Sequence, residues 1–403
     1  MALRRLRAAS SVALLLTGLL PAGLGGCMSD GSPAPRRQAV APPAAEAAPA
    51  AVAAGRIGTG SVKVALIAPL TGPGSAIGTA LRNAAELAYE DFQKPDLQIL
   101  VKDDRGAPEG AREAAQAALG EGAEILLGPL FAANVQAAAG AARGAGKPIV
   151  AFSTDSSVAA KGVYLISFLP QSEVDRVVDE ATAGGRRSFA ALIPDSTYGN
   201  AVEAQFREAV ARRGARLVAL ERYPAADPGP AIARLRPMIA GPGAQADALF
   251  LPDTPTGLSA VGPALTKAGF SPARVRPIGT ALWNDPRVTA LPAFQGGWFA
   301  APDGAGFASF AQRYQARFGS VPPRVASLGY DAVSLAAALT RQYGSQRFAD
   351  TTLTIPAGFA GLDGTFRFRP EGTSDRALAV YEIRNGAAVV VSPAPKALGP
   401  SGI

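Results

Sequence analysis

The stretch Val62-Lys63-Val64-Ala65-Leu66-Ile67-Ala68-Pro69-Leu70-Thr71-Gly72-Pro73-Gly74-Ser75-Ala76-Ile77-Gly78 sets the pattern for the whole chain. Residues 62–68 form a short, nearly uninterrupted apolar run, which reads as a strand buried on both faces. Prolines and glycines then break the run. Residues 71–92 carry apolar side chains at helical spacing, with Ile77, Leu81, Ala84, Ala85 and Ala88 on one face. A buried strand leading into an amphipathic helix is the first half of a strand–helix–strand unit, whose crossover makes the next strand parallel.

The rhythm repeats outward. Strands are expected at 97–101, 124–127 and 148–152, with helices at 108–119 and 131–145. It then restarts: a helix at 172–183, strands at 188–193, 216–221, 246–251 and 275–279, and helices at 198–213, 231–239 and 257–268. Two successive sets predict an α/β chain of two similar lobes, each a parallel sheet flanked by helices. A strand at 297–300 and long helices at 307–318 and 326–343 follow. Segments 364–369, 378–384 and 387–391 alternate with period two around Glu371-Gly372 and Asn385-Gly386. Asn-Gly between strands signals a tight hairpin, so a small antiparallel addition should close the chain.

Composition narrows the chemistry. The chain has 403 residues, 48% of them hydrophobic, ample for a large core. It contains no histidine and one cysteine. The commonest general base and the commonest metal ligand are therefore missing, and neither an intramolecular disulfide nor a Cys/His zinc site can form. A carboxylate-only metal site or a carboxylate-based hydrolase stays open. Net charge is +7, but only seven of the 39 basic residues are lysine and no basic run is interleaved with aromatics. Nucleic acid is not an expected partner, and no cofactor is expected.

At the N-terminus, Arg4, Arg5 and Arg7 precede an apolar segment, 8–24, that is short for a membrane span. It fits the hydrophobic region of a secretory signal. It ends in Leu24-Gly25-Gly26-Cys27, which resembles the bacterial lipobox. Residues 1–26 are thus expected to be a lipoprotein signal and Cys27 the acylated residue, anchoring the chain to a membrane, with Met28 favouring the outer one. Residues 28–60 hold five prolines and 11 alanines. Such a segment buries too little surface to fold alone, so 27–60 is expected to be a tether reaching up to roughly 100 Å.

Three motifs imitate other chemistry. Residues 72–78 follow a strand and open a helix, as a dinucleotide fingerprint does, but Ile77 occupies the third glycine slot. Residues 141–148 echo a phosphate loop but precede a strand. Asp103-Asp104 could pair as catalytic carboxylates, yet neighbours at a strand end point in opposite directions. No nucleophile–base pair is visible, and no enzyme is expected.

Residues from Val62 to about Tyr343 resemble the type I periplasmic binding proteins, the leucine/isoleucine/valine-binding family. The resemblance rests on Val64 through Pro73, Asn83 through Ala88, Leu127-Gly128-Pro129-Leu130, Lys147 through Val150, Ser196-Thr197-Tyr198-Gly199 and Gly329 through Val333. A narrower similarity links Ile149 through Asp155, Gly279 through Pro286, Gly296 through Pro302 and Gly358 through Phe368 to penicillin-binding-protein activators of the LpoA/YraM type. The resemblance implies a two-lobed, Venus-flytrap α/β fold. Lobe one is expected at 61–170 plus 301–345, lobe two at 171–300 plus 346–392, and a tail at 393–403.

In doubly wound sheets, ligands bind beyond the carboxyl ends of the strands. This places Leu70, Ala132, Ser153, Thr154, Asp155, Tyr198, Asp253, Thr280 and Trp283 as candidate cleft residues. By resemblance, Ala132 or Ala133 stands where the family carries a hydroxyl, Ser153 at a backbone-contact position, Asp155 where threonine is usual, and Tyr198 at the aromatic covering the ligand. The acid that pairs with an amino acid's ammonium falls near Ala281 and is missing. Asp155 either contacts ligand or caps the following helix; Trp283 either walls the cleft or fills the core. The expected function is a tethered regulator of peptidoglycan synthesis acting on a bifunctional penicillin-binding protein. The alternative is a solute receptor delivering an amino acid or related small molecule to an ABC permease.

Overall fold

The computed structural model describes residues 55–398. Cys27, the signal segment and most of the expected tether lie outside them, as do the last residues of the tail.

Lobe one opens with β1 (Arg56–Ile57), β2 (Val62–Ala68), α1 (Ser75–Asp91), β3 (Leu97–Asp103), α2 (Pro108–Gly120), β4 (Leu126–Leu127), α3 (Ala132–Gly144), β5 (Ile149–Ala151) and β6 (Val163–Leu165). Its sheet runs β1-β3-β2-β4-β5-β6. β2 through β6 are parallel, and β1 adds antiparallel to β3, with Ile57 opposite Ile99. The tether therefore ends earlier than expected, because Ile57 is buried against lobe one.

Lobe two comprises α4 (Pro170–Ala183), β7 (Ser188–Pro194), α5 (Thr197–Arg212), β8 (Arg216–Tyr223), α6 (Gly229–Ile239), β9 (Ala248–Phe250), α7 (Pro255–Lys267), β10 (Arg276–Gly279), α8 (Pro286–Thr289) and β11 (Trp298–Ala301). The chain then returns to lobe one as α9 (Gly304–Phe318), α10 (Ala326–Tyr343), α11 (Asp350–Leu353), β12 (Phe359–Gly361), β13 (Gly364–Phe368) and β14 (Ser374–Arg376). It crosses once more to form β15 (Ala379–Arg384) and β16 (Ala387–Ser392). The second sheet runs β16-β15-β11-β10-β9-β7-β8, with β15 and β16 antiparallel at one edge. The hairpin turns at Asn385 and Gly386, both at positive φ, the backbone that an Asn-Gly turn requires.

Both sheets bury both faces, which explains the continuous apolar runs. Val64, Leu66 and Ala68 face one cluster of lobe one, and Ala65 and Ile67 the other. Ala190 and Leu192 face one side of lobe two; Phe189, Ala191 and Ile193 face the opposite side. The antiparallel residues were expected as one addition to lobe two. They divide instead. Phe348, Leu353, Phe366 and Phe368 pack with Leu66, Phe152 and Tyr164 in lobe one, so the 346–377 segment belongs there, while Leu378 already packs in lobe two. Only β15 and β16 extend the second sheet. Burying four large side chains beneath lobe one offsets the cost of that extra passage between lobes.

Candidate functional site

The loops that leave the carboxyl ends of the strands form the rims of the two lobes. In lobe one, Asp103 at the end of β3 shapes the first rim loop. Its carboxylate accepts the Leu70 and Thr71 N–H groups at 2.9 and 3.2 Å and the Thr71 hydroxyl at 2.6 Å. Burial would raise its pKa, but these bonds and the Arg105 N–H hold it below the usual carboxylate range. Leu70 itself is buried and offers a rim only its backbone. Asp104 turns inward, fully buried, and accepts from Asn134 at 3.0 Å; burial raises its pKa. The two carboxylates thus point apart and serve the scaffold.

Ala132 opens α3 and brings no polar atom. Ser153 is buried, and its hydroxyl accepts the Asp155 N–H at 3.1 Å. Thr154 is exposed beside it. Asp155 caps a short 3₁₀ turn at Ser156–Val158, its Oδ1 accepting the Ser157 N–H at 2.9 Å, and hydrogen bonds from Ser157 lower its pKa. Of the two readings held for Asp155, capping is the one this geometry fills.

Lobe two concentrates the polar chemistry. Tyr198, in the first turn of α5, has its hydroxyl 2.8 Å from the hydroxyl of fully buried Thr280. Ser196 and Thr254 cap α5 and α7, accepting from Gly199 and Gly257. Asp253 is 8% exposed, accepts the Thr254 N–H at 2.6 Å, and takes a hydrogen bond from the Tyr223 hydroxyl. Burial and the neighbouring Glu173 charge raise the Tyr198 pKa, so its phenol keeps its proton.

Glu173 is the residue that sequence reasoning missed. It sits in the first turn of α4, is 8% exposed, and accepts the Ala281 N–H at 2.9 Å through Oε2. Burial pushes its pKa up to about 7, against the Ala281 hydrogen bond and the charge of Arg324. A buried acid therefore stands beside Ala281, although Ala281 itself, where the resemblance places the ammonium-pairing acid, carries none. The acid arrives from another helix, 108 positions earlier in sequence. An acidic residue in a helix's first turn is so common that no local signal marks it.

Trp283 is also corrected. It is 0% exposed, donates from Nε1 to the Leu251 carbonyl at 2.9 Å, and stacks edge-on against Phe294 with ring centroids 4.8 Å apart. It fills the core of lobe two and walls no cleft. The structure thus gathers Tyr198, Asp253, Thr280 and the unforeseen Glu173 on lobe two. Leu70, Ala132, Ser153, Thr154 and Asp155 lie on the rim of lobe one. Such a site can bind through hydrogen bonds and a buried carboxylate. Among the described residues, no group of three acidic or cysteine side chains gathers to hold a metal.

Comparisons with known proteins agree with this architecture. The model of the periplasmic binding protein family matches residues 61–388. The Leu/Ile/Val-binding protein BraC3 of Rhizobium johnstonii is 32% identical over 75 residues, a stretch covering 17% of this chain and 20% of that relative. A structure provisionally named a branched-chain amino acid ABC transporter, from Rhodospirillum rubrum, superposes with a TM-score of 0.72 at 21% identity, covering 82% of this chain and 99% of the other. An ABC transporter substrate-binding protein of Desulfitobacterium hafniense in complex with Leu gives 0.59 at 18% identity, covering 82% and 99%. A solute binding protein of an ABC transporter from Rhodopseudomonas palustris, in complex with 3,4-dihydroxy benzoic acid, gives 0.57 at 21%, covering 83% and 96%. At these identities the solved structures establish the fold alone. With the family model spanning both lobes, the chain belongs to the family of periplasmic binding proteins.

Proposed function

We infer that this chain is the solute-binding component of an ABC transporter, held in the periplasm by a lipid on Cys27, and that its solute carries an amine. The observation that supports this reading most is the buried polar cluster on lobe two. A carboxylate held inside protein with only one backbone N–H against it is costly unless a partner completes it. A ligand ammonium would do so at Glu173, with the Tyr198 hydroxyl alongside. Lobe one contributes no hydroxyl at Ala132, so an α-carboxylate would rely on backbone N–H groups near Ser153. An amino acid or a related small amine is the class proposed. The relatives described as ABC transporter components favour transport over the regulation of cell-wall synthesis. The regulator reading rests on the short sequence stretches quoted above. Neither reading involves catalysis.

The test is uptake. Cells lacking this chain should lose accumulation of one amine-bearing solute, and a plasmid copy should restore it. Restoration by a Glu173→Ala copy to the same level would refute the role given to Glu173. Unchanged uptake of every amine-bearing solute in the deletion strain would refute the transport reading itself.

A further inference from the structure

At the opposite end of the lobe-one strands, away from the rims described above, lies a cavity of about 420 Å³. It sits at the amino ends of β5 and β6, where Lys147-Pro148 and Lys161-Gly162 lead into the strands, and α3 and the approach to α11 close its sides. Ala142, Val163 and Phe348 give it an apolar wall. Arg143, Lys147 and Lys161 give it three cations from two separate loops and a helix end.

The charge pattern around it is lopsided. Several other cations of lobe one are matched, although Lys94, in the loop before β3, also lacks a partner among the described residues. Arg56 and Lys102 both pair with Glu121, Lys63 donates to the Glu121 carbonyl at 2.8 Å, and Arg347 meets Glu124 at 3.3 Å. Arg143, Lys147 and Lys161 have no ion pair or side-chain hydrogen bond among the described residues. The one carboxylate in the lining, Asp350, accepts the Tyr164 hydroxyl at 2.8 Å. A helix C-terminus accounts for one cation beside it, and Arg143 fills that role at the end of α3. Lys161 belongs to another segment and converges on the same space. Three unmatched cations around a concave wall that is partly apolar form a receptor for a compact anion joined to an apolar group. The volume falls in the range of small-molecule sites.

We propose that this cavity binds a phosphate ester, with the phosphate among Arg143, Lys147 and Lys161 and its organic part against Phe348 and Val163. Two sources share that chemistry: the headgroup of an anionic phospholipid, and a free organophosphate. The proposal stands apart from the cleft and from what the cleft binds.

The experiment is thermal unfolding of the purified full chain in a neutral, phosphate-free detergent, titrated with three probes: inorganic phosphate, glycerol phosphate and dihexanoyl phosphatidylglycerol. Saturation at a hundred times the dissociation constant should raise the midpoint by roughly 2–4 °C. A shift with the lipid alone assigns the headgroup; a shift with glycerol phosphate as well assigns the free ester. The triple variant Arg143→Ala/Lys147→Ala/Lys161→Ala removes only exposed charges. Its affinity should fall about a hundredfold, from a few-fold loss per cation. Arg143→Lys/Lys147→Arg/Lys161→Arg should retain the shift. No shift with any probe would overturn the proposal, and so would a shift that survives the triple alanine variant.

Discussion

A carboxylate as buried as Glu173 gives up the solvation that stabilises its charge, and a single N–H at 2.9 Å recovers only part of it. Its pKa of about 7 lies well above the ordinary value of 4.5. Between those two values the unfolded chain binds fewer protons than the folded one. The stabilising effect of the retained proton is fully present below about 4.5 and is lost as pH rises through 7. Across that window Glu173 should lower stability by about 3 kcal/mol. Urea unfolding at several pH values should show Glu173→Gln losing this slope and overtaking the parent above pH 7; parallel curves would show that the carboxylate is solvated. An ammonium ligand changes the sign of the problem, because it favours the ionised form. Its affinity should rise with pH toward 7, and binding below pH 7 should release a proton, visible as a buffer-dependent heat. Trp283 supplies a contrast. With its ring packed on Phe294 and its N–H satisfied by Leu251, Trp283→Ala should cost about 3–5 kcal/mol and leave ligand specificity alone. A small stability loss together with a change in specificity would return it to the cleft wall.

Between the lobes, the crossing segments are tied by side chains that no local pattern marks. Arg376, at the end of β14, donates to the Ile166 carbonyl at 2.9 Å and lies over the rings of Phe168 and Phe366. It stands 3.7 Å from Asp331, whose pKa burial pushes up to about 6 against the pull of Arg376. Arg324 pairs with Asp363 and also reaches over Phe168. Tyr381 donates to the Pro302 carbonyl at 3.1 Å. Arg376→Met should therefore leave Asp331 buried without its cation and cost about 3–5 kcal/mol. The joint variant with Asp331→Leu should recover much of that loss, and additive costs in the double-mutant cycle would contradict the pairing. Much of each lobe was legible because a strand buried on both faces is an unbroken apolar run, as 62–68 and 188–193 are. Where a strand is very short, the signal fades. β6 spans only Val163–Leu165, and β1 only Arg56–Ile57 behind an alanine-rich segment. The destination of 346–377 was illegible for a different reason. Its period-two pattern shows that one face is buried, not which lobe buries it.

Over the whole molecule, the fold follows from the order and periodicity of its elements and the family from the motifs quoted for it, while the site follows from convergence. Tyr198 and Asp253 lie after strand ends and could be named from topology alone. Glu173 could not, since only the packed structure brings the first turn of α4 onto the Ala281 N–H. A two-lobed receptor whose polar groups cluster on lobe two is expected to bind first to that lobe, with the Thr154–Asp155 rim of lobe one closing afterward. Amide hydrogen exchange with and without solute should then protect the 195–199 and 280–284 segments even in variants with Thr154→Gly and Asp155→Gly; loss of that protection would place the first contact on lobe one. The decisive experiment is a thermal-unfolding screen of the full chain against amino acids and other small amines, run in parallel on the parent and on Glu173→Gln/Tyr198→Phe. A solute receptor of the kind described here should show a midpoint rise of roughly 2–4 °C with one amine class, absent from the double variant. An unshifted parent across the whole panel, or an equal shift in both proteins, would contradict a solute site at Glu173 and Tyr198.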